Sequence, residues 1–575
     1  MCKVVIGIDF GTSGTGYAFS YNKENDIILG KFSEQGNDVK VPTEIILDSK
    51  LEKVLAFGHK CKKYIEDNEL NNGELYFTNI KMNIYNQINT ITPYNSSTIY
   101  QLVDIIAKIL QYIKEEAYSH IYNGHPEITL NQIKWVVTVP AIWDYSQKGI
   151  MIQASEKAGL FNDNTERLNF LALEPEVASL YCSKDDTINL DLISYGKTYI
   201  VCDFGGGTGD IATHQKSLDG EIIERYQSIG GNYGSEEIDK QIYHEVIGKI
   251  FGFEHFNDLV EKNKKITNPW NEDILLVEWL NLKREIQTKK KIEENSKDKT
   301  FFLNCSLFED FMDGNDIGSL VDNYNKSCKS DWKVEVKVKS KWWLKLPYKI
   351  IFDLINEQAL KILDLLINIY DKVEDIENII YVGGYSSNKI LLKTIKQKFR
   401  DVQHLVPARP DIAVIKGAVL FGLNPNIIKS RKSPYTIGFN SDHYWDDNIH
   451  SGKGIKYYDF TFNCFKCQNT FDKLIEKGED IQIGHKITRF YISTNSRYIN
   501  LKFFKSEKES PFLWTENGVE LLGEDRLDLE EDYPIDQRNF ILIIEFGGTF
   551  VEAKCIHNLS NKSKNLKLYF NKNNN

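Results

Sequence analysis

The segment Asp203-Phe204-Gly205-Gly206-Gly207-Thr208-Gly209-Asp210 decides how the rest of the sequence is read. The apolar run before it, Tyr199-Ile200-Val201-Cys202, reads as a buried strand that ends in an acid. The bare glycine backbone lets N–H groups approach anionic oxygens that a Cβ would hold off. The start of the chain repeats the pattern. Val4-Val5-Ile6-Gly7-Ile8-Asp9 is followed by Phe10-Gly11-Thr12-Ser13-Gly14-Thr15 and a second apolar segment, Tyr17 to Tyr21. This order predicts a hairpin in each place, not a strand running into a helix. A single Gly-rich turn would be an ordinary β-turn. Two turns, each with an acid at the same place, form an internal repeat and predict two related α/β lobes facing a cleft. Asp9 and Asp203 at their strand ends suit a hydrated Mg²⁺, which takes one or two carboxylates and keeps several waters. Two such turns can grip a polyphosphate from both sides.

Further elements extend the pattern. Residues 98–118 carry apolar residues at helical spacing (Leu102, Ile105, Ile106, Ile109, Leu110, Ile113), and 146–159 and 388–399 read as further helices. Val136-Val137-Thr138-Val139-Pro140 and Asn378-Ile379-Ile380-Tyr381-Val382 read as buried strands, the second running into Gly383-Gly384. The Lys/Glu-rich stretch 284–299 reads as a solvated helix end and loop, and the alternation of Lys and Val over 333–341 as a half-exposed strand. After Pro425 helical spacing fades and short β-rich runs take over, predicting an all-β C-terminal domain. The expected organisation is a first lobe over 1–194 with 405–425 returning to it, a second over 195–404, a β-rich substrate- or partner-binding domain over 426–570, and a disordered tail, 571–575.

Composition limits the alternatives. In 575 residues, 70 Lys and Arg stand against 81 Asp and Glu, a net charge of −11, so nucleic acid is not an expected partner. No apolar run is long enough to cross a membrane, and Asp9 interrupts the N-terminal run before a signal-peptide core forms. Nine cysteines, irregularly spaced, fit a cytoplasmic chain with reduced thiols. Asn95-Ser96-Ser97 then carries no glycosylation meaning. Cys464-Phe465-Lys466-Cys467 is a lone CxxC, with His443 and His450 upstream, and without a second CxxC it does not read as a zinc site. Glu545-Phe546-Gly547-Gly548-Thr549 imitates the phosphate turn but lacks one glycine, and reads as a tight hairpin.

Taken in order, these motifs resemble the 70-kDa heat-shock protein family of the actin-like ATPase superfamily, in its divergent heat shock 70 kDa protein 12 branch. The resemblance covers nearly the whole chain and runs through Gly7 to Thr12, Val137 to Ala141 with Ser146-Gln147, Leu173-Glu174-Pro175, Asp203 to Asp210, Val382-Gly383-Gly384, and Pro410-Asp411-Ile412-Ala413-Val414 with Gly417. It implies a two-lobed actin-like (ribonuclease-H-like) ATPase fold binding ATP or ADP with Mg²⁺. Asp9 and Asp203 would sit around the metal through water. Gly11, Thr12, Ser13, Gly205, Gly206, Gly207 and Thr208 would cradle the β- and γ-phosphates, with Lys81 on the γ-phosphate. Glu174 and Asp203 would position the attacking water, with Asp210 behind them. Such chemistry needs alignment and charge neutralisation more than covalent catalysis. Pro140 falls at the family's hinge proline. Gly383, Gly384, Tyr385, Asp411 and Arg284 would serve the nucleoside side.

The resemblance also has departures. Ser387 stands where the family places an arginine that stacks on adenine, and Gly231-Asn232-Tyr233-Gly234-Ser235-Glu236-Glu237 only loosely matches the ribose-side motif. Asn426-Ile427-Ile428-Lys429-Ser430-Arg431-Lys432-Ser433-Pro434 replaces the acidic, apolar interdomain linker. No long helical segment follows the β region, so any polypeptide client would be held without a lid. The expected function is a slow ATPase of chaperone type, with J-domain and nucleotide-exchange partners as the family implies. A nucleotide-dependent signalling scaffold and a small-molecule kinase of the same superfamily are the alternatives.

Overall fold

The computed structural model describes residues 2–21, 26–32, 38–68, 70, 73–160, 171–184, 195–252, 256–263, 272–290, 299–311, 316–338 and 341–568. Two sheets repeat one design. In the first, the strand Val4–Phe10 lies between a parallel neighbour, Ile133–Val139, and an antiparallel one, Thr15–Ser20. In the second, Thr198–Phe204 lies between parallel Ile376–Val382 and antiparallel Gly209–Lys216. The central strands are buried along their whole length. That is why they read as unbroken apolar runs and not as alternating ones. The helices Glu174–Cys182 and Ala413–Leu423 pack between the sheets. Val177, Ala178, Ala413, Val414 and Ala418 share one apolar cluster with Val5 and Val136 of the first sheet and Val201 and Ile380 of the second. Small residues on these helices allow the close approach that such a double contact needs.

The helix expected over 98–118 is Leu102–Gly124. Tyr100–Gln101 is taken into a short strand pair with Thr90–Ile91, which delays the start. The stripe continues through buried Ala117 and Ile121, which carries the helix past 118. The helices Tyr145–Lys157 and Lys389–Lys398 lie close to their expected positions; Asp144 caps the first by accepting from Gln147 N at 2.9 Å. Of the stretch 284–299, residues to Lys289 continue the helix Glu272–Lys289, and 291–298 lie outside the described residues. Glu335–Val338 is a largely exposed strand paired with Trp342–Pro347. The tail 571–575 is also outside the described residues.

The region after Pro425 is dominated by strands, in five-stranded and four-stranded sheets, with a short helix at Asp447–His450. It does not begin as a separate unit. Ile428–Lys432 pairs parallel to Ile222–Gly231, and Asp480–Gln482 pairs onto it, so both extend the second α/β sheet. The segment that follows the boundary expected at 426 is therefore hydrogen-bonded into the second α/β sheet. Pairing partners some 200 residues away leave no local trace in Ile428-Lys429-Ser430-Arg431-Lys432.

That strand carries a buried charge into the α/β part. Arg431 donates Nε and Nη2 to the two oxygens of Glu176, at 2.6 and 2.7 Å, and Nη1 to the carbonyl of Gly547 at 2.8 Å. Residues 547–550 close the hairpin between Asn539–Phe546 and Val551–His557, so the imitation of the phosphate turn is a junction element. Glu224 accepts from Lys432 N at 2.8 Å, and burial pushes its carboxyl up to about 7. A second tie joins Lys505 to Asp144, the helix cap, at 3.3 Å. It borders a cavity of about 680 Å³ lined by Tyr85, Asn89, Ile142, Ser146, Gly230 and Glu520. Cys464 and Cys467 lie three apart on one strand. Cys467 is buried and Cys464 half-buried, and no cluster of three potential metal ligands occurs among the described residues.

Candidate nucleotide-binding site

Each hairpin ends with its acid one pair from the turn. Asp9 is opposite Gly16 and Phe10 opposite Thr15; Asp203 is opposite Asp210 and Phe204 opposite Gly209. The second turn is held from behind by the start of the helix Ser235–Ile242. The N–H groups of Gly234, Ser235 and Glu236 donate to the carbonyls of Gly207, Gly205 and Gly206 at 3.1, 3.1 and 2.8 Å. In the first turn, Thr43 Oγ1 donates to the Gly11 carbonyl at 2.7 Å. Gly205 N–H closes the turn on the Thr208 carbonyl at 3.1 Å, and with the carbonyls of 205–207 engaged on the protein side the N–H groups of Gly206 and Gly207 are left for an anion on the other.

The two turns meet. A Cβ on Gly206 would overlap Ser13 Oγ, and one on Gly207 would stand 2.6 Å from Met82 Sδ. Ser13 Oγ donates to Glu236 Oε1 at 2.5 Å. The structure thus brings Thr12, Ser13, Gly206 and Gly207 to one place, from segments nearly 200 residues apart.

Four carboxylates, Asp9, Glu174, Asp203 and Asp210, are buried behind these turns together with Lys81. Lys81, on the helix Ile80–Tyr85, donates to Glu174 Oε1 at 2.7 Å and lies 5.5 Å from the Trp143 ring centroid. Asp210 accepts from Ile142 N at 3.2 Å, and Thr138 Oγ1 donates to Asp9 at 3.4 Å. Lys40 Nζ stands 2.6 Å from Asp9 Oδ2. Burial, with the charges of Asp210 and Asp9, raises the Asp203 carboxyl well above the carboxylate range. Burial also raises Glu174. Lys81 opposes this rise, and Asp9, Asp203 and Asp210 add to it. Burial raises Asp210 against the N–H of Ile142 and the charge of Lys81. For Lys40, burial pulls the ammonium down, but Asp9, Asp203 and Glu174 carry it above its ordinary value. Mutual like-charge repulsion of this kind is what a further cation relieves.

No protein-family model matches the chain. Comparison with individual proteins finds relatives along nearly the whole chain. Human heat shock 70 kDa protein 12A is 28% identical over 97% of this chain and 90% of its own length. The likeness is to the 70-kDa heat-shock proteins, in their 12A and 12B branch. Human heat shock 70 kDa protein 12B is 23% identical over 98% of this chain and 90% of its own length. The chaperone protein DnaK of Burkholderia cenocepacia is 24% identical over 74% of this chain and 53% of its own length. The mixed α/β architecture fits an actin-like ATPase of the heat-shock-70 kind.

Among the residues expected on the nucleoside side, Gly383 has φ +84°, and its N–H donates to the Pro410 carbonyl at 2.9 Å. A Cβ there would crowd Asp203 Oδ1 at 2.5 Å, whereas one on Gly384 meets nothing within 4 Å. Gly383 is thus needed by the protein itself, and Gly384 borders open space. Tyr385 turns inward, 7% exposed, into a core shared with Phe204 and Leu391, because the short turn Gly384–Ser387 sends its ring beneath the strand. Buried there, it is not placed to serve the nucleoside side as expected from the resemblance. Its hydroxyl and Gln358 Oε1 have no hydrogen-bond partner among the described residues. Gln358 Nε2 donates to the Gly234 carbonyl at 3.1 Å, which places it at the start of the helix behind the second turn. Asp411 is held by both Arg409 Nε and Nη2, at 2.9 and 2.7 Å. The Arg284 side chain lies outside the described residues. Sequence reading missed Lys40, Thr43, Thr138 and Glu236. Thr138 and Glu236 stand inside motifs read from the sequence without a role of their own, while Lys40 and Thr43 reach the site through long-range pairing and stand in no run that marks them.

Proposed function

We propose that the two turns bind the polyphosphate of ATP or ADP with Mg²⁺, and that the chain is a slowly hydrolysing, chaperone-type protein of heat-shock-70 kind. One observation carries this reading: the abutting turns 11–14 and 205–208 enclose four buried acids and Lys81. The donor set fits the metal. Carboxylates that raise one another's pKa lack positive charge, and a divalent cation supplies it while neutralising the phosphates. Asp9 and Asp203 hold that cation through water, in keeping with the absence, among the described residues, of three ligands close enough for direct ligation.

Gly11, Thr12, Ser13, Gly205, Gly206, Gly207 and Thr208 line the phosphates. Lys81 faces the terminal phosphate, while Glu174 and Asp203 orient water and Asp210 supports them. Gly383, Gly384, Asp411 and Arg284 serve the nucleoside. In this reading residues 1–194 with 405–425 and residues 195–404 are the two lobes, and the strands after 426 bind extended polypeptide by edge pairing. Exposed Phe460, Phe465 and Phe490 on or between those strands support a polypeptide partner, and co-chaperone partners belong to the same reading. Among the described residues no helix is long and apolar enough to cross a membrane.

Calorimetric titration with Mg-ADP tests the proposal. One-to-one binding is expected, and no binding under any metal condition removes it. Refolding of a denatured protein, with ATP and co-chaperones, separates a chaperone from a scaffold that binds nucleotide without refolding anything.

A further inference from the structure

The cation beside Asp9 is placed there by strand register. Asp9 pairs with Gly16, and Gly16 pairs in turn with Lys40 on the two-residue strand Lys40–Val41. Residues directly opposite in neighbouring strands share a face of the sheet, so Asp9, Gly16 and Lys40 form one row. The middle member has no side chain. A Cβ on Gly16 would stand 3.1 Å from Lys40 Cγ, in the path the lysine takes across the sheet. Lys40 therefore lies over Gly16 and brings Nζ to 2.6 Å from Asp9 Oδ2, with 29% of its side chain exposed against 5% for Asp9. Its stem also borders the phosphate turn, since a Cβ on Gly14 would meet Lys40 Cβ at 3.4 Å.

From this geometry we infer that Lys40 is a built-in cation of the phosphate site, which takes over at Asp9 part of the charge neutralisation otherwise left to Mg²⁺, so that the chain binds nucleotide without metal. The inference rests on the nucleotide reading above. Two ammonium groups then flank the polyphosphate, Lys40 on the Asp9 side and Lys81 on the Glu174 side. The ammonium occupies one Asp9 oxygen, and Thr138 donates to the other. A metal arriving with nucleotide would therefore share Asp9 with the lysine through its waters and lean more on Asp203.

Such a substitution is a coupling and can be measured as one. If Lys40 replaces part of the metal's charge, removing it must enlarge the factor by which Mg²⁺ tightens nucleotide binding. The experiment titrates ADP by calorimetry, with Mg²⁺ and with chelator, into the wild type, Lys40→Met and Lys40→Arg. The wild type is expected to lose no more than about tenfold in affinity on chelation. Lys40→Met is expected to lose about tenfold more than that on chelation, measured against its own affinity in Mg²⁺. Lys40→Arg, which keeps the charge, is expected to follow the wild type. It carries the comparison with the wild type's chelation factor should the methionine variant fail to fold, and a chelation loss in it as large as the one set out for Lys40→Met would count against the inference. Equal chelation factors in wild type and Lys40→Met overturn the inference and leave the nucleotide reading standing. No ADP binding by the wild type in either condition overturns both.

Discussion

Glu174→Gln is expected to slow single-turnover ATP hydrolysis by about a hundredfold or more, with ADP affinity changed far less. The reason lies in what the glutamate touches. Glu174 opens its helix directly after the strand Leu171–Leu173, is buried, and accepts from Lys81 at 2.7 Å. Its partner Lys81 is the cation placed at the terminal phosphate in the reading above, and so Glu174 can align water against the group that Lys81 holds. Glutamine has nearly the same shape and retains an oxygen for Lys81, so the ammonium is not left buried and unpaired. It cannot accept a proton from water. The loss therefore falls on the chemical step, because alignment and charge placement supply most of the catalysis in phosphoryl transfer. Rates for the two proteins under enzyme excess check it, and an unchanged rate would take Glu174 out of the reaction.

The second large effect concerns the junction. Arg431→Met is expected to destabilise the chain by about 3–5 kcal/mol, the usual loss when one partner of a buried ion pair is removed. Arg431 bonds both oxygens of Glu176 and the Gly547 carbonyl, so its loss leaves a buried carboxylate unpaired and frees the hairpin 547–550 from the α/β part. Trypsin cleavage at Lys429 and Lys432, shielded in the wild type by strand pairing, is expected to appear. The double variant Arg431→Met with Glu176→Gln is expected to recover part of the loss, since no buried charge is then left alone.

The effect has a pH sign. Glu224 titrates near 7 in the folded chain against an ordinary 4.5, chiefly through burial, while Arg431 acts to lower it. A raised value means that the stability linked to this group is complete below about 4.5 and is lost as pH rises through about 7. Arg431 limits that loss, so the penalty for removing it should grow from pH 5 to pH 8. Thermal unfolding across that range reads the trend, and a penalty that shrinks with pH would contradict the assignment.

Parts of this molecule were legible because their physics is local. Asp203 to Asp210 names itself through three bare residues, an acid at a strand end, and a copy at Asp9 to Thr15. The strands Val4–Phe10 and Thr198–Phe204, buried on both faces, leave unbroken apolar runs. What depends on distant pairing was not legible. Lys40 belongs to a strand of two residues whose only meaning is its register with Gly16. Arg431 lies in a stretch that departs from the family's linker, and nothing in its neighbours announces Glu176, 255 residues away. Tyr385 reads as a residue of the nucleoside side from its place after Gly383-Gly384, but side-chain direction in a short turn is set by the core beneath it. At Gly383 the motif points to a ligand's approach, a role that the protein itself partly fills, since Asp203 is within a Cβ's reach.

The central claim is that both turns hold one polyphosphate. A crystal structure with Mg²⁺ and a non-hydrolysable ATP analogue tests it most directly. The account predicts phosphate oxygens within hydrogen-bond reach of the N–H groups of both 11–13 and 206–207, with Lys81 on the terminal phosphate and the metal's waters on Asp9 and Asp203. Phosphates bound by one turn alone, or nucleotide lodged elsewhere with the two turns still in contact, would contradict it.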